Sequence, residues 1–347
     1  MKTKTNISVL WIDDESQDRT TEANNIMSKR KNLKIQVLHP MDSRMEDLLS
    51  SFKARKSIPD LFLIDYYLDQ RTEQTTNERF GARGLSVAAR IREILPEHPI
   101  YGVTNFTAKK DGVFASEAQA ANMLFDNLLS YKEIQRLGQK ILYLDALDYA
   151  LIRSSKRDSF DKLLSLLNSP DCAREIIHGI LPDDLIKGIS SVKSGNSISF
   201  ANWVRNVLLD KPGILYNDIY SATYLGMDLR YFAKIKNRLK SASYNGVFSK
   251  TNSQTYWWRC ELNHILFSTK IAVSSNKANP WEIAPLVFKT PNNHLSKCVV
   301  CDLPYPETIG TNVKDDSEVA PVHFKCSKPH PFKKRELYFD EFRVFEP

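Results

Sequence analysis

Short apolar runs alternate with helical patterns through the N-terminal third of the chain. The apolar runs cover residues 7–12, 35–38, 61–64 and 99–103. Between them, apolar residues recur at helical spacing over residues 46–54 and 84–95. Buried strands that alternate with helices predict the α/β fold class, with a doubly wound parallel sheet that carries helices on both faces.

Carboxylates lie where two of these predicted strands end. Asp13 and Asp14 follow the first strand, and Asp65 ends the third. Because ligands of open α/β sheets bind at the carboxyl ends of the strands, these acids are expected to form one oxygen-rich pocket. Such a pocket suits Mg²⁺, which neutralises an incoming phosphoryl group and lets one carboxylate act as the nucleophile. Thr104 ends the fourth strand and can hydrogen-bond a phosphoryl oxygen, while Lys132 is the best-placed candidate for a lysine from a fifth strand.

These motifs resemble the receiver domain of response regulators. The resemblance rests on VLWIDDE, on DLFLIDYYLD, on the Gly84-Leu85 opening of the next helix and on VTN, and it spans roughly residues 6–140. It implies a CheY-like, flavodoxin-like sheet. It also implies that Asp13 and Asp14 match the acidic pair that binds the metal, and that Asp65 matches the phospho-acceptor.

The resemblance assigns roles to three further residues. Tyr67 matches the position whose backbone carbonyl completes the Mg²⁺ site, Thr104 matches the switch hydroxyl, and Lys132 stands for the family's lysine. Lys132 lies in SYKEI and not before the usual proline, and the segment DQRTEQTTNERFGARG after Asp65 is longer than the family's loop. The implied partner is a histidine kinase or another phosphotransfer donor. The alternative is a pseudo-receiver whose acids only solvate the strand ends.

A mainly helical middle domain contains a pattern that resembles the helix-turn-helix of DNA-binding regulators. In residues 218–238, small residues at Ala222 and Gly226 suit a tight turn between two helices, and Phe232 and Ile235 suit the buried face of the second helix. In the DNA-binding motif the second helix enters the major groove. Five basic residues fall on it here: Arg230, Lys234, Lys236, Arg238 and Lys240.

The charge distribution agrees with a polyanionic partner but does not require one. Residues 141–280 carry 18 basic and 12 acidic side chains within a chain of net charge +7. YNGVF and TYWWRC flank a possible hairpin or wing, in which Asn245, Gly246 and Lys250 would approach DNA. The alternative is a protein-docking or purely structural helical domain. Trp257 and Trp258 are expected to be core or interface anchors and not base-stacking residues.

The C-terminal part carries two pairs of potential metal ligands. Cys298 and Cys301 form one pair, and His323 and Cys326 form the other, each with two residues between the ligands. This spacing predicts a closed, structural Cys₃His zinc site, with His294 or His330 as substitutes for His323. The alternative is that these thiols pack in a small core. Cys172 and Cys260 stand alone, and an odd cysteine count argues against a disulfide framework.

The sequence therefore predicts three parts: a receiver at residues 1–140, a helical domain at 141–275 and a zinc module at 276–347. The function is that of a response regulator whose output is DNA binding, or alternatively of an adaptor that docks onto a protein effector. An enzyme is not expected, because Ser/His/Asp, Walker and dinucleotide motifs are absent from the sequence. No apolar run approaches the ~18 residues of a membrane span, so a cytoplasmic protein without a membrane partner is expected.

Overall fold

The chain folds into two compact units, each formed by two stretches of sequence. The first unit contains Met1–Ser159 and Asp184–Asn202, and the second contains Phe160–Asp183 and Trp203–Pro347. The computed structural model describes residues 6–39, 44–54, 57–66, 68, 84–104, 124–155, 160–188, 196–210, 213–251, 254–298, 301, 303, 309–314 and 318–323. The boundaries expected at residues 140 and 275 divide the chain differently and stay predictions.

A parallel five-stranded sheet forms the centre of the first unit. Its strands are β1 (Ile7–Ile12), β2 (Leu33–Leu38), β3 (Leu61–Asp65), β4 (Ile100–Thr104) and β5 (Asn127–Ser130). Their spatial order is β2-β1-β3-β4-β5, and every neighbouring pair is parallel. This is the strand order of flavodoxin-like doubly wound sheets, so the predicted α/β fold of the N-terminal part is confirmed.

Helices follow strands of this sheet. They are α1 (Ser16–Ser28), α2 (Arg44–Lys53), α3 (Gly84–Ile94) and α4 (Tyr131–Ser154). Two of them, α2 and α3, lie where apolar periodicity predicted helices, over residues 46–54 and 84–95. Helix α3 can begin close to β3 because its first residue, Gly84, has no Cβ. A Cβ at this position would overlap the carbonyl oxygen of Asp65. The central strands β3 and β4 are buried along their whole length, which explains why they are apolar throughout rather than alternating.

The stretch Asp184–Asn202 contributes to the first unit although 24 intervening residues belong to the second. The backbone N–H of Ser197 donates to Glu97 Oε2 at 3.0 Å, and the Asn202 amide donates to Asp126 Oδ1 at 3.1 Å. Asp126 is itself held by Arg92, whose guanidinium lies 2.7 Å from Asp126 Oδ2. These hydrogen bonds attach the later stretch to the segments that precede β4 and β5.

The second unit is mainly helical, in agreement with the prediction for the middle of the chain. Its first helices are α5 (Phe160–Leu167) and α6 (Arg174–Ile180). The next two, α7 (Asp183–Gly188) and α8 (Asn196–Trp203), belong almost entirely to the first unit. The second unit continues with α9 (Asp218–Tyr224), α10 (Leu229–Ile235), α11 (Arg259–Phe267), α12 (Lys270–Ser274) and α13 (Pro280–Phe288). Short 3₁₀ turns cover Asp171–Ala173, Lys236–Ala242 and Asn292–His294, and a π-helical turn covers Val204–Leu209. Among the described residues, every helix is either too short or too polar to cross a bilayer.

Two small antiparallel sheets complete the second unit. Strand β6 (Leu215–Asn217) pairs with β7 (Tyr256–Trp258), and β8 (Ile309–Lys314) pairs with β9 (Glu318–His323). Trp257 and Trp258 are 3% and 1% exposed, which confirms that they are core anchors. The core around Trp257 is formed by residues of α9, α10, α11, α12 and α13, together with residues of the connecting turns.

The sulfur atoms of Cys172 and Cys260 are joined in a disulfide, which corrects the expectation that these cysteines stand alone. Their Cα atoms lie 5.9 Å apart because the 3₁₀ turn that holds Cys172 packs against α11, which holds Cys260. The Cys count argued against a disulfide framework, but a count cannot reveal that residues separated by 88 positions meet in the fold.

Candidate metal centre and basic helix

Neighbouring parallel strands bring three carboxylates together at one edge of the large sheet. Ile12 of β1 is in register with Ile64 of β3, so the residues that follow, Asp13 and Asp65, lie side by side. One oxygen each from Asp13, Asp14 and Asp65 can be chosen so that all three lie within 4.8 Å of one another. The structure therefore places the three acids in one cluster, as the sequence predicted.

The cluster lies in a largely buried setting beside a hydroxyl group. Asp13 is 0% exposed, Asp65 is 9% exposed, and Thr104, at the end of the adjacent strand β4, is 8% exposed. Three carboxylates match the oxygen preference of Mg²⁺, and their accumulated negative charge favours a divalent cation. Tyr67, expected to offer its backbone carbonyl, lies outside the described residues.

Lys132 does not lie on the fifth strand, which corrects its expected position. Strand β5 ends at Ser130, in register with Thr104, and Lys132 is an exposed residue in the first turn of α4. The reason is a capping box: Ser130 Oγ accepts from the Glu133 N–H at 3.2 Å, and the Glu133 carboxylate accepts from the Ser130 N–H at 2.8 Å. The helix thus starts before the lysine is reached.

Two residues that the sequence interpretation missed contact the buried acid Asp13. The Tyr131 hydroxyl donates to Asp13 Oδ2 at 2.7 Å, and Arg19 Nε donates to the same oxygen at 3.2 Å. The guanidinium of Arg19 also binds Glu15 at 2.7 Å and Glu22 at 3.1 Å. The sequence offered one signal for both residues, which is their position shortly after a strand. Arg19 lies on α1, five residues after Asp14, and Tyr131 directly follows β5.

The two residues are also stacked on each other. The Arg19 guanidinium carbon lies 3.9 Å from the centre of the Tyr131 ring, and that ring stacks on Trp11 with centroids 6.4 Å apart. This stacking fixes the Tyr131 ring and so directs its hydroxyl towards Asp13.

The electrostatics of the pocket reflect burial among negative charges. Burial, followed by the charges of Asp13 and Asp65, raises the pKa of Tyr131 well above its ordinary value, so its hydroxyl keeps its proton. Burial alone would lower the pKa of Arg19, but the surrounding acidic groups outweigh it and the pKa is raised. Burial also raises the pKa of Glu22, although its bond to Arg19 opposes this shift.

In the second unit, α9 and α10 form the predicted pair of helices with a tight turn. Gly226 adopts a φ of 65°, the left-handed conformation that glycine accepts without strain. Asp228 caps α10 by accepting a hydrogen bond from the Tyr231 N–H at 2.7 Å. Phe232 and Ile235 are buried, in agreement with the predicted inner face.

The basic residues of the second helix differ in their surroundings. Arg230 and Lys234 are exposed on α10, and the Lys234 ammonium lies 5.9 Å from the centre of the Tyr231 ring. Arg238, in the 3₁₀ turn that follows, is exposed too, but its guanidinium carbon lies 4.7 Å from the centre of the Phe288 ring of α13. Arg238 therefore has a packing role in addition to its charge.

The predicted wing is partly folded into the core. Ser243 forms an antiparallel β-bridge with Trp257 of β7, and β7 also pairs with β6. Residues 215–217, 243 and 256–258 therefore form one small antiparallel arrangement. A Cβ at Gly246 would overlap the carbonyl oxygen of Leu167, so glycine at this position permits close packing on α5. The approach of this segment to DNA stays a prediction. Asn245 and Lys250 remain exposed.

The four predicted zinc ligands are only partly described. Cys298 is 1% exposed and its N–H donates to the Leu303 carbonyl at 3.1 Å, whereas Cys301 is exposed. His323 is the last residue of β9. Cys326 and the alternative ligand His330 lie outside the described residues, so the zinc site stays a prediction.

His294, the other alternative ligand, has a different partner. Its Nδ1 atom lies 2.9 Å from Asp228 Oδ2, the residue that caps α10. The backbone nearby pairs as well, since the Asp228 N–H donates to the His294 carbonyl at 2.8 Å. This pairing engages only Nδ1, an arrangement that is also common at metal-bound histidines, so His294 as a substitute for His323 stays a prediction.

Comparison with known proteins gives structural neighbours for the N-terminal part. No family model and no curated protein matches the chain. The receiver domain of nitrogen regulatory protein C is 16% identical, and the match covers 43% of this chain and 98% of that domain with a TM-score of 0.30. The receiver domain of NarL from Mycobacterium tuberculosis is 18% identical, with 41% and 96% covered and a TM-score of 0.29.

A longer match is RcsB from Salmonella enterica serovar Typhimurium, whose structure was solved bound to a promoter. It is 15% identical, and the match covers 57% of this chain and 99% of RcsB with a TM-score of 0.28. At such identities and TM-scores, the activity of this chain has to be inferred from its own side chains.

Proposed function

We propose that the first unit is a receiver that accepts a phosphoryl group on Asp65 and thereby controls the second unit. The observation that carries this proposal is the cluster of Asp13, Asp14 and Asp65 within 4.8 Å, at the strand ends and beside Thr104. A bound Mg²⁺ supplies charge neutralisation for the phosphoryl oxygens. Asp13 and Asp14, with Asp65, are the side chains that would hold it.

The chemical step belongs to Asp65. One of its carboxylate oxygens attacks the phosphorus atom of the donor, a phosphohistidine or an acyl phosphate, and forms a new P–O bond. The bond from phosphorus to the donor nitrogen or oxygen breaks, and the leaving group keeps its electron pair. The Thr104 hydroxyl then donates to an oxygen of the transferred group, so phosphorylation repositions this side chain and the surface around it.

The output that the second unit supports best is binding of duplex DNA. The supporting observation is the order of its elements: a helix pair with a tight turn, Arg230 and Lys234 exposed on the second helix, and a small antiparallel sheet beside it. Cations on an exposed helix attract the phosphate backbone whatever the base sequence. The alternative output is docking onto a protein effector. The contact of Arg238 with Phe288 gives this arginine a role in packing that does not require DNA.

Removal of a basic residue from α10 should weaken binding of duplex DNA by the full chain. Lys234→Ala and Arg230→Ala each remove a positive charge that can bind a phosphate, so affinity falls and the slope of log affinity against log salt decreases by about one for each phosphate that is no longer neutralised. Fluorescence anisotropy with a labelled random duplex at several salt concentrations measures both quantities. Lys270→Ala, an exposed lysine on α12, is the matched control and should leave binding unchanged.

Absence of salt-dependent DNA binding by the wild-type chain, before and after phosphorylation, would favour the protein adaptor. Binding that is equally strong in Lys234→Ala, Arg230→Ala and Lys270→Ala would place the DNA-binding surface elsewhere than α10.

The C-terminal segment is proposed to hold one zinc ion through Cys298, Cys301, His323 and Cys326. Cys301→Ser keeps the size of the side chain and removes the thiolate, so the zinc content should fall from about one ion per chain to a small fraction. Elemental analysis of the purified full chain measures this content. His264→Asn, which removes an exposed imidazole of α11 outside the proposed ligand set, is the control and should keep its zinc. A wild type that contains no zinc after purification without chelators would contradict the proposed site.

A further inference from the structure

The buried carboxylate Asp13 has hydrogen-bond donors on both of its oxygens. Oδ2 accepts from the Tyr131 hydroxyl at 2.7 Å and from Arg19 Nε at 3.2 Å, while Oδ1 accepts from the Glu15 N–H at 2.8 Å. A carboxylate oxygen offers about two lone-pair directions. Both directions of Oδ2 are therefore used by side chains, and one direction of Oδ1 remains for a cation.

We propose that Tyr131 is a positioning residue for the divalent cation, which it serves through Asp13. Its hydroxyl and Arg19 occupy Oδ2, and the Glu15 N–H binds Oδ1, so the carboxylate can rotate only by breaking these three hydrogen bonds. Asp13 is thereby fixed with Oδ1 available to the cation. A ligand held in its binding orientation gives up less conformational freedom when the cation arrives, and cation affinity is higher for that reason. This inference rests on the proposed metal-dependent function of the same pocket.

The surroundings of Tyr131 support this role over a purely structural one. Its ring is already held between Trp11, with centroids 6.4 Å apart, and the Arg19 guanidinium at 3.9 Å. The ring packing therefore does not depend on the hydroxyl group. The hydroxyl contributes the bond to Asp13, and this bond joins the first residue of α4 to the loop after β1.

Tyr131 also distinguishes this pocket from one that relies on a lysine. The sequence expectation was an ammonium group from the end of β5, but that strand ends at Ser130 and Lys132 is exposed in α4. Tyr131 lies between them and directs a neutral donor, not a charge, at the acids. A neutral donor orients the carboxylate without repelling the cation, whereas a second positive charge there would weaken cation binding.

The test compares two Tyr→Phe exchanges in the full chain. Tyr131→Phe removes the donor and keeps the ring, whereas Tyr143→Phe removes a hydroxyl from another ring of α4 that carries a stacked guanidinium, that of Arg30 at 3.8 Å. Isothermal titration with Mn²⁺ as the probe is expected to show a dissociation constant about tenfold or more higher for Tyr131→Phe. Tyr143→Phe should bind as the wild type does. Melting temperatures measured without metal show whether either exchange changes the stability of the protein.

Each outcome supports or overturns the positioning role. Equal Mn²⁺ affinity of Tyr131→Phe and wild type overturns it while leaving the proposed receiver intact. A wild type that does not bind Mn²⁺ overturns the proposed receiver function and the positioning role with it. If Tyr131→Phe fails to fold, ultraviolet difference spectra of the wild type decide: Mn²⁺ should perturb a tyrosine signal, and an unperturbed spectrum on cation binding overturns the role.

Discussion

Acetyl phosphate with Mg²⁺ should phosphorylate the wild-type chain at a single site, and Asp65→Asn should abolish this reaction. Asparagine has nearly the same shape as aspartate, so the sheet should stay folded. Its amide group, however, replaces the charged oxygen that attacks phosphorus and also removes one negative ligand from the cation cluster. The expected effect is complete loss of the phosphorylated species, which intact-mass spectrometry of the freshly reacted protein measures.

The control for this experiment is Asp18→Asn, an exposed acid in the first turn of α1. It changes the net charge by the same amount outside the cluster and should react like the wild type. Acyl phosphates are labile, so hydroxylamine should remove the added group from both wild type and Asp18→Asn. An adduct of equal yield on Asp65→Asn would assign the acceptor to another residue, and a wild type without any adduct would indicate a pseudo-receiver.

Arg19→Ala should destabilise the first unit by about 3 kcal/mol, because it leaves a fully buried carboxylate without its charged partner. The Arg19 side chain is 13% exposed and that of Asp13 is 0% exposed, so the lost ion pair is one that solvent screens little in the wild type. Two further acids, Glu15 and Glu22, would then repel Asp13 without a compensating cation. Urea denaturation followed by circular dichroism measures the free energy of unfolding.

Arg30→Ala is the matched control, because Arg30 stacks on the Tyr143 ring at 3.8 Å in the same unit. Removing such a stacked guanidinium should cost about 1 kcal/mol or less. Mg²⁺ should restore part of the stability of Arg19→Ala, since the cation supplies positive charge to the same acids. Equal destabilisation by the two substitutions would show that Arg19 acts by packing and not as the counter-ion of Asp13.

The sheet and its acidic edge were predictable from the sequence because both depend on local patterns. Apolar runs bounded by polar residues locate β1 and β3, and parallel strands necessarily end at the same edge, which brings Asp13, Asp14 and Asp65 together. The helix pair of the second unit was equally local. Gly226 and the buried Phe232 and Ile235 are recognisable by spacing alone.

The features that the sequence did not predict depend either on contacts between distant parts of the chain or on competition between strand and helix over a few residues. Whether residues 131–133 continue β5 or begin α4 is decided by the bonds between Ser130 and Glu133, which displaced Lys132. The hydrogen bond from Tyr131 to Asp13 joins positions 118 residues apart. No periodicity reports such a pairing, and the disulfide of Cys172 and Cys260 was missed for the same reason.

The division of the chain between the two units sets the order in which they can be completed during synthesis. The first unit is finished only when Asn202 has left the ribosome, since Ser197 and Asn202 bond to Glu97 and Asp126. By then residues 160–183 of the second unit are already made and await Trp203 onward. A single cut therefore releases neither unit intact. Recombination that transfers one continuous gene segment could therefore move both units together. It could not move one complete unit without part of the other.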